Sequence, residues 1–285
     1  MPESPEVQAL VEFVAERAVG RDIAGFEVLD YPEYKTRAVM PSVLAGCRIV
    51  AVSRHGKYVD IDAGEHHLVI SFGRGGWLVW HDDGETDAHG GDAEEAAGAI
   101  VDAPAVASVA LSGGSGFDVI DTGGYRSVGL WIVDRPTEVP GVAKLGPDPV
   151  DPAFSRESFD RPIVGRRKQL KAVLQEQTSF AGIGNAYSDE ILFVARLSPV
   201  IHASELSEED RDRLFDALRT VPRSAIDARR GIPLDRLKQA KIDAMLVHGR
   251  AGEPCPNGDG TVHDFTFAGA SAQYCPECQT GGVIL

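Results

Sequence analysis

The spacing of apolar and polar residues changes twice along this chain. In SPEVQALVEFVAERAVG (4–20), Val7, Leu10, Val11, Val14 and Ala18 recur at helical intervals and predict a helix with one apolar face. Ser4 is its expected N-cap and Pro5 its first helical residue, where a missing N–H costs no hydrogen bond. From about 47 to 135 the pattern shortens. RIVAVSRHGKYVDID, HLVISFG, GWLVW, FDVID and VGLWIVD are β-rich runs separated by glycines, as in an antiparallel sandwich or barrel. KLGPDPVDPAF (144–154), with three prolines and a glycine, reads as a linker. Helical patterns follow in RRKQLKAVLQEQ, NAYSDEILFVARL and SEEDRDRLFDALRTV, the last capped by Ser207 with Asp210 closing a capping box. From about 248 onward Gly, Pro and Cys replace periodicity, and no internal repeat is present.

The chain is therefore expected to be α+β. A β-rich domain with its N-terminal helix spans 1–143, the linker 144–154, a helical domain 155–247 and an irregular tail 248–285. No apolar run approaches the roughly 20 residues of a membrane span. The start has neither the basic stretch nor the apolar run of a signal peptide. Three of the four cysteines lie beyond residue 254, a spacing that suggests a metal knuckle rather than secreted disulfides. These features point to a cytoplasmic protein, expected to act as a monomer.

The net charge of −15 argues against a nucleic-acid partner when taken as one number. Its distribution changes that conclusion. HDDGETDAHGGDAEEAAGAIVD (81–102) carries eight acids and no Lys or Arg, and reads as a solvated insertion. RPIVGRRKQLK (161–171) carries Arg161, Arg166, Arg167, Lys168 and Lys171 without an acid, a local stripe able to meet phosphate.

Three stretches carry candidate chemistry. In SFAGIGNAYSDEI (179–191), Gly182 and Gly184 permit a tight turn and Asn185 is placed to cap the next helix. Amides at such a helix start form an anion site, and with Lys171 nearby a phosphate diester is a suitable guest; the alternative is an ordinary helical corner. In the tail, Cys275 and Cys278 have the C-x2-C spacing of half a tetrahedral zinc site. Cys255 supplies a third thiol, Gly258 stands where its partner would be, and His263 or Asp259 is left as fourth ligand unless the tail has lost its metal. At the start, removal of Met1 would expose the secondary amine of Pro2 beside Glu3. An N-terminal amine titrates near pH 8 and can attack an aldehyde-like carbon, while a carboxylate moves the protons.

Together MPESPEV, HGKYV, QTSFAGIGNAYSDEIL and YCPECQ, in this order and at these separations, resemble the formamidopyrimidine-DNA glycosylase / endonuclease VIII family over nearly the whole chain. The resemblance implies a β-sandwich N-terminal domain, a helix–two-turns–helix domain and a C-terminal zinc-finger hairpin, with damaged double-stranded DNA held between. It implies a base-excision enzyme with abasic-site lyase activity, one structural Zn²⁺ and no organic cofactor. Pro2 looks like the Schiff-base nucleophile at the sugar C1′, Glu3 like the acid/base that opens the sugar, and Glu6 shares that site. Lys57 and Asn185 resemble the residues that grip phosphates beside the flipped nucleotide, and Lys171 falls at a lysine position of the same helix. Glu190 matches a family acid.

Three departures stand out. The family's finger carries an arginine four residues before the tyrosine of YC, where this chain has Ala270, and one zinc cysteine is absent. Many members fill the gap left by the extruded base with a methionine from GMSG and an arginine–phenylalanine pair. Here GRGG places Arg74 at the turn, and GGYRSVG offers Tyr125 and Arg126. The altered finger motivates a competing expectation, a lesion- or abasic-site-binding protein that excises nothing. A ribosome- or RNA-associated module is a third, and would leave the MPE start unexplained.

Overall fold

The computed structural model describes residues 1–82, 103–258 and 260–285. All but the first two residues of the acidic run, and Asp259, lie outside the described residues. The chain divides into two compact units. One comprises Met1–Pro2, Glu6–Ala143 and Gly231–Leu237; the other comprises Glu3–Pro5, Lys144–Arg230 and Lys238–Leu285.

The first unit is a β-sandwich with a helix in its core. Helix α1 (Ser4–Ala18) buries Val7, Leu10, Val11, Val14 and Ala18, the face expected from their spacing. Gly20, at φ +86°, takes the left-handed conformation that ends it. One antiparallel sheet has the order β1 (Ile23–Val28), β6 (Ala105–Leu111), β7 (Gly116–Asp121), β5 (Gly76–His81). The other runs β2 (Ala51–His55), β3 (Tyr58–Asp62), β4 (His67–Ser71), β8 (Gly129–Val133). Alternation sorts the faces of β3: Val59 and Ile61 enter the shared core, and Asp60 points the other way. On that side the buried Asp60 carboxylate accepts hydrogen bonds from His55 Nε2 at 3.1 Å and His67 Nδ1 at 2.9 Å. Strands β1 and β6 have no counterpart in the sequence reading. The short α2 (Pro140–Ala143) closes the unit's continuous stretch, and Leu234 and Leu237 return to the same core.

The second unit is helical. It contains α3 (Arg156–Asp160), α4 (Leu170–Gln175), α5 (Asn185–Ala195), α6 (Glu208–Arg229), most of α7 (Leu237–Ala244), a hairpin of β9 (His263–Phe267) and β10 (Ala270–Tyr274), and α8 (Pro276–Gln279). Ser207 and Asp210 form the expected reciprocal capping box on α6. Helix α5 is buried on nearly every side, from Ala186 to Phe193. Helix α4 is shorter than the pattern RRKQLKAVLQEQ predicts. Residues 166–170 are instead paired with a distant segment: Leu170 N–H donates to Ile201 O, Ala203 N–H to Lys168 O and Ser204 N–H to Arg166 O. Long-range backbone pairing there overrides local helix propensity.

Candidate active site

Glu3 belongs to the helical unit, where its carboxylate sits at the N-terminus of α5. It accepts the backbone N–H of Gly184, that of Ala186 at 3.0 Å and that of Tyr187 at 3.4 Å. The N-cap residue is Gly184, whose missing side chain Glu3 replaces. This corrects the expectation that Asn185 caps the helix. The turn is an anion site as its sequence suggests, and the anion is the chain's own third residue. Gly182, at φ +86°, shapes the turn; its N–H donates to Gln177 Oε1 at 2.9 Å and its carbonyl accepts from Ser4 N–H at 3.0 Å.

Lys171 is fully buried, which corrects its reading as a phosphate contact. Its Nζ donates to Asp189 Oδ1 at 2.6 Å, Ser188 Oγ at 2.7 Å and the Asn185 carbonyl at 3.1 Å. Burial lowers its pKa, and the Asp189 carboxylate opposes that shift. The second oxygen of Asp189 accepts from His248 Nδ1 at 2.7 Å and from Gln273 N–H at 3.2 Å. Glu190 accepts the N–H groups of Leu246, Val247 and His248; burial raises its pKa, and these bonds pull the other way. Two adjacent acids of α5 thus fix the segment entering the hairpin, and Asp189 also holds β10. Asn185 is oriented by Nδ2 donation to Ser271 O at 2.8 Å and by Gln175 Nε2 donation to its Oδ1 at 3.0 Å. An amide NH2 has two donors, so among the described residues one remains for a ligand. Within the basic stripe Arg166 and Lys168 both pair with Glu176, while Arg161 and Arg167 are exposed.

In the sandwich unit, Pro2 is buried behind an exposed Met1, and Glu6 is buried in the first turn of α1. Lys57 lies with Gly56 (φ +56°) in the two-residue turn between β2 and β3. Arg54 holds that turn, donating to the Gly56 carbonyl at 2.9 Å and to Gln8 Oε1 of α1 at 3.1 Å. The GRGG and GGYRSVG segments come together. The Arg74 N–H donates to Ser127 Oγ at 2.8 Å, and a Cβ on Gly73 would lie 2.1 Å from the Ser127 carbonyl oxygen. Asp121 organises the second loop, its carboxylate accepting from Gly123 N–H at 2.9 Å and Ser127 N–H at 2.8 Å. Tyr125 projects from it, 93% exposed. Arg126 is tied down: its Nε pairs with Asp30 at 3.1 Å and its Nη1 donates to the Asp121 carbonyl at 3.0 Å. Of the two residues expected to wedge from this loop, Tyr125 is the one presented.

The thiols of Cys255, Cys275 and Cys278 all lie within 4.8 Å of one another. Cys255 and Cys278 sulfurs are 3.6 Å apart, close to the ~3.8 Å that bonds of about 2.3 Å impose in a tetrahedral zinc–thiolate site. The set fits a metal ion. Burial, with neighbouring thiols adding to it, pushes the Cys275 thiol up to about 12. Among the described residues His263, one of the two candidates for fourth ligand, does not join the three thiols. It pairs in register with Tyr274, and the two rings pack 6.3 Å apart within the hairpin's aromatic face. Ala270 stands exposed at the start of β10.

A sequence profile for the formamidopyrimidine-DNA glycosylase N-terminal domain matches residues 1–97, and one for the formamidopyrimidine-DNA glycosylase H2TH domain matches residues 145–234. A formamidopyrimidine-DNA glycosylase from Heliobacterium modesticaldum is 32% identical, the alignment covering 98% of this chain and all of that one. The chain belongs to this family. An uncharacterized formamidopyrimidine-DNA glycosylase-like protein of Mycobacterium tuberculosis is 42% identical over half of this chain and 88% of its own length. The crystal structure of the Thermus thermophilus MutM (Fpg) protein superposes with a TM-score of 0.78 at 29% identity, over 98% of each chain.

Within the family fold, the sequence reading missed Asp189 and His248, which join helix to hairpin, and Asp121, which shapes the loop of Tyr125. It also missed Lys241, whose Nζ lies 3.6 Å from Glu3 Oε1. Asp121 alone had a local signal, an acid before Thr-Gly-Gly, the composition of an Asx turn. His248 and Lys241 are recognisable only through partners more than 50 residues away, and Asp189 through Lys171, 18 residues before it, and His248, 59 residues beyond.

Proposed function

We propose that the protein is a DNA glycosylase for damaged bases that also cuts the strand at the abasic site. The observation that carries this reading is the anchoring of Glu3. The residue bonded to Pro2 is held by three backbone amides, so a fixed carboxylate stands next to the chain's secondary amine once Met1 is removed. Family membership supports the same reading.

In this mechanism Pro2 nitrogen bonds to C1′ of the damaged nucleotide. The C1′–base bond breaks, and the base leaves with its electron pair and takes up a proton. Cleavage of C1′–O4′ opens the sugar, with Glu3 delivering a proton to O4′ and leaving an iminium ion between C1′ and Pro2. The iminium acidifies C2′–H; loss of that proton expels the 3′ phosphate, and loss of a C4′ proton then expels the 5′ phosphate. Water releases the amine. An extruded nucleotide costs a few kcal/mol, least at a lesion. Lys57 and Asn185 grip phosphates, Tyr125 and Arg74 occupy the gap left by the base, and Glu6 supports the reaction from α1. Zinc held by Cys255, Cys275 and Cys278 would serve to cross-link the hairpin.

The test is a panel of duplexes carrying defined oxidised bases or an abasic site, with and without borohydride. Base release together with a borohydride-trapped adduct supports the reading. Tight binding to abasic DNA with no adduct and no released base would favour the non-excising alternative.

A further inference from the structure

The amide-capped carboxylate of Glu3 has a cationic neighbour on another helix. Lys241, on α7, places Nζ 3.6 Å from Glu3 Oε1 and 5.0 Å from the ring centroid of Tyr187, with its side chain 16% exposed. Tyr187 is itself tied to Glu3 through its N–H. Lys241 therefore spans the carboxylate and the aromatic face beneath it, held by an ion pair and a cation–π contact at once. At 3.6 Å the ion pair is an electrostatic contact and not a hydrogen bond, so the amides fix the carboxylate's orientation and Lys241 supplies charge.

The other charged groups around Glu3 differ in kind. Lys171 of α4 also acts on Glu3 electrostatically, but its charge is matched by Asp189 of α5 at 2.6 Å. Arg229 of α6 lies over the same Tyr187 ring, 5.9 Å from its centroid. Lys238, one turn earlier on α7, has its pKa lowered by burial. Glu6 lies on α1 three residues beyond Glu3, and Pro2 is the residue bonded to Glu3.

We propose that Lys241 is a positioning residue for Glu3, keeping the carboxylate ionised so that it can take a proton from the Pro2 amine before returning one to the sugar. The inference rests on the reading of Glu3 as the acid/base of the reaction. An opposite charge within about 4–6 Å favours the charged form, and burial of both groups limits screening by salt.

The experiment follows the carboxyl ¹³C resonance of Glu3 against pH in the free protein, for the parent, Lys241→Met and Lys241→Arg. The Lys241→Met midpoint should rise by about one pH unit, with Lys241→Arg near the parent. On abasic DNA, Lys241→Met should lower the borohydride-trapping rate about tenfold below neutral pH, shift its acid limb upward and leave KM within about twofold. In a Glu3→Gln background the same substitution should change nothing further. An unmoved Glu3 midpoint in folded Lys241→Met overturns the proposal. If Lys241→Met does not fold, Lys241→Gln takes its place, under the same criterion. If the parent forms no adduct, the functional reading fails while the titration still decides whether Lys241 sets the charge of Glu3.

Discussion

Ala186 donates its backbone N–H to Glu3 at 3.0 Å across 183 residues of chain. A helix in the second unit is thus capped by a residue from the start of the protein. The same contact, with the N–H groups of Gly184 and Tyr187, fixes the orientation of that acid.

That cap should be visible in stability as well as activity. Glu3→Ala should lower unfolding free energy by about 1–2 kcal/mol, the loss seen for a removed helix N-cap. Glu3→Gln should lose less, because its amide oxygen still accepts. Denaturant unfolding of the three proteins checks the order; equal stability in all three would contradict the cap.

Lys171 and Lys57 should separate cleanly. Lys171 and Asp189 are both fully buried, so Lys171→Met takes the ammonium away from one carboxylate oxygen, leaving His248 and Gln273 on the other, and should cost about 3–5 kcal/mol. It should not change the salt dependence of DNA binding. Lys57→Ala should reduce the slope of log K against log salt by about one unit with little loss of stability. Equilibrium unfolding and binding at several salt concentrations measure both.

The buried Asp60 predicts an acid-sensitive sandwich. Burial alone would raise its pKa, but the hydrogen bonds from His55 and His67 outweigh it and hold the carboxyl below its ordinary 3.8. A depressed folded pKa contributes stability that is complete above the unfolded value and disappears as pH falls through the folded one. Stability should therefore drop below about pH 4 in the parent and drop less in Asp60→Asn. Denaturation midpoints from pH 6 to the acid limit test this.

Much of the fold was legible because its signals are local. The apolar face of α1, the β2–β3 hairpin around Gly56-Lys57 and the Ser207–Asp210 box each lie within a short window. Strands β1 and β6 were not legible: IAGFEV contains a glycine, AVASVAL is rich in alanine, and their pairing joins residues about 80 apart in sequence. The site divides the same way. The motifs at Pro2, Glu3 and Lys57 announce themselves by residue type. Lys171 looks like a surface lysine until α5 is packed against it, and the cap that Asn185 was expected to provide comes from Glu3. His263 has the right spacing for a ligand, but strand register commits it to Tyr274.

The thiol cluster makes the metal content a sharp test. Purified protein should carry about one zinc per chain, lost in Cys278→Ser and retained in His263→Ala. Elemental analysis of chelator-washed protein provides the numbers. Loss of zinc in His263→Ala would return that residue to the ligand set.

If catalysis begins at residue 2, mass mapping of the borohydride-trapped adduct will show it. Intact mass of the free protein should lack Met1, and digestion of the adduct should place the deoxyribose remnant on the N-terminal peptide, at the nitrogen of Pro2. Retained Met1 throughout an active preparation, or a remnant on an internal lysine such as Lys57, would contradict the account.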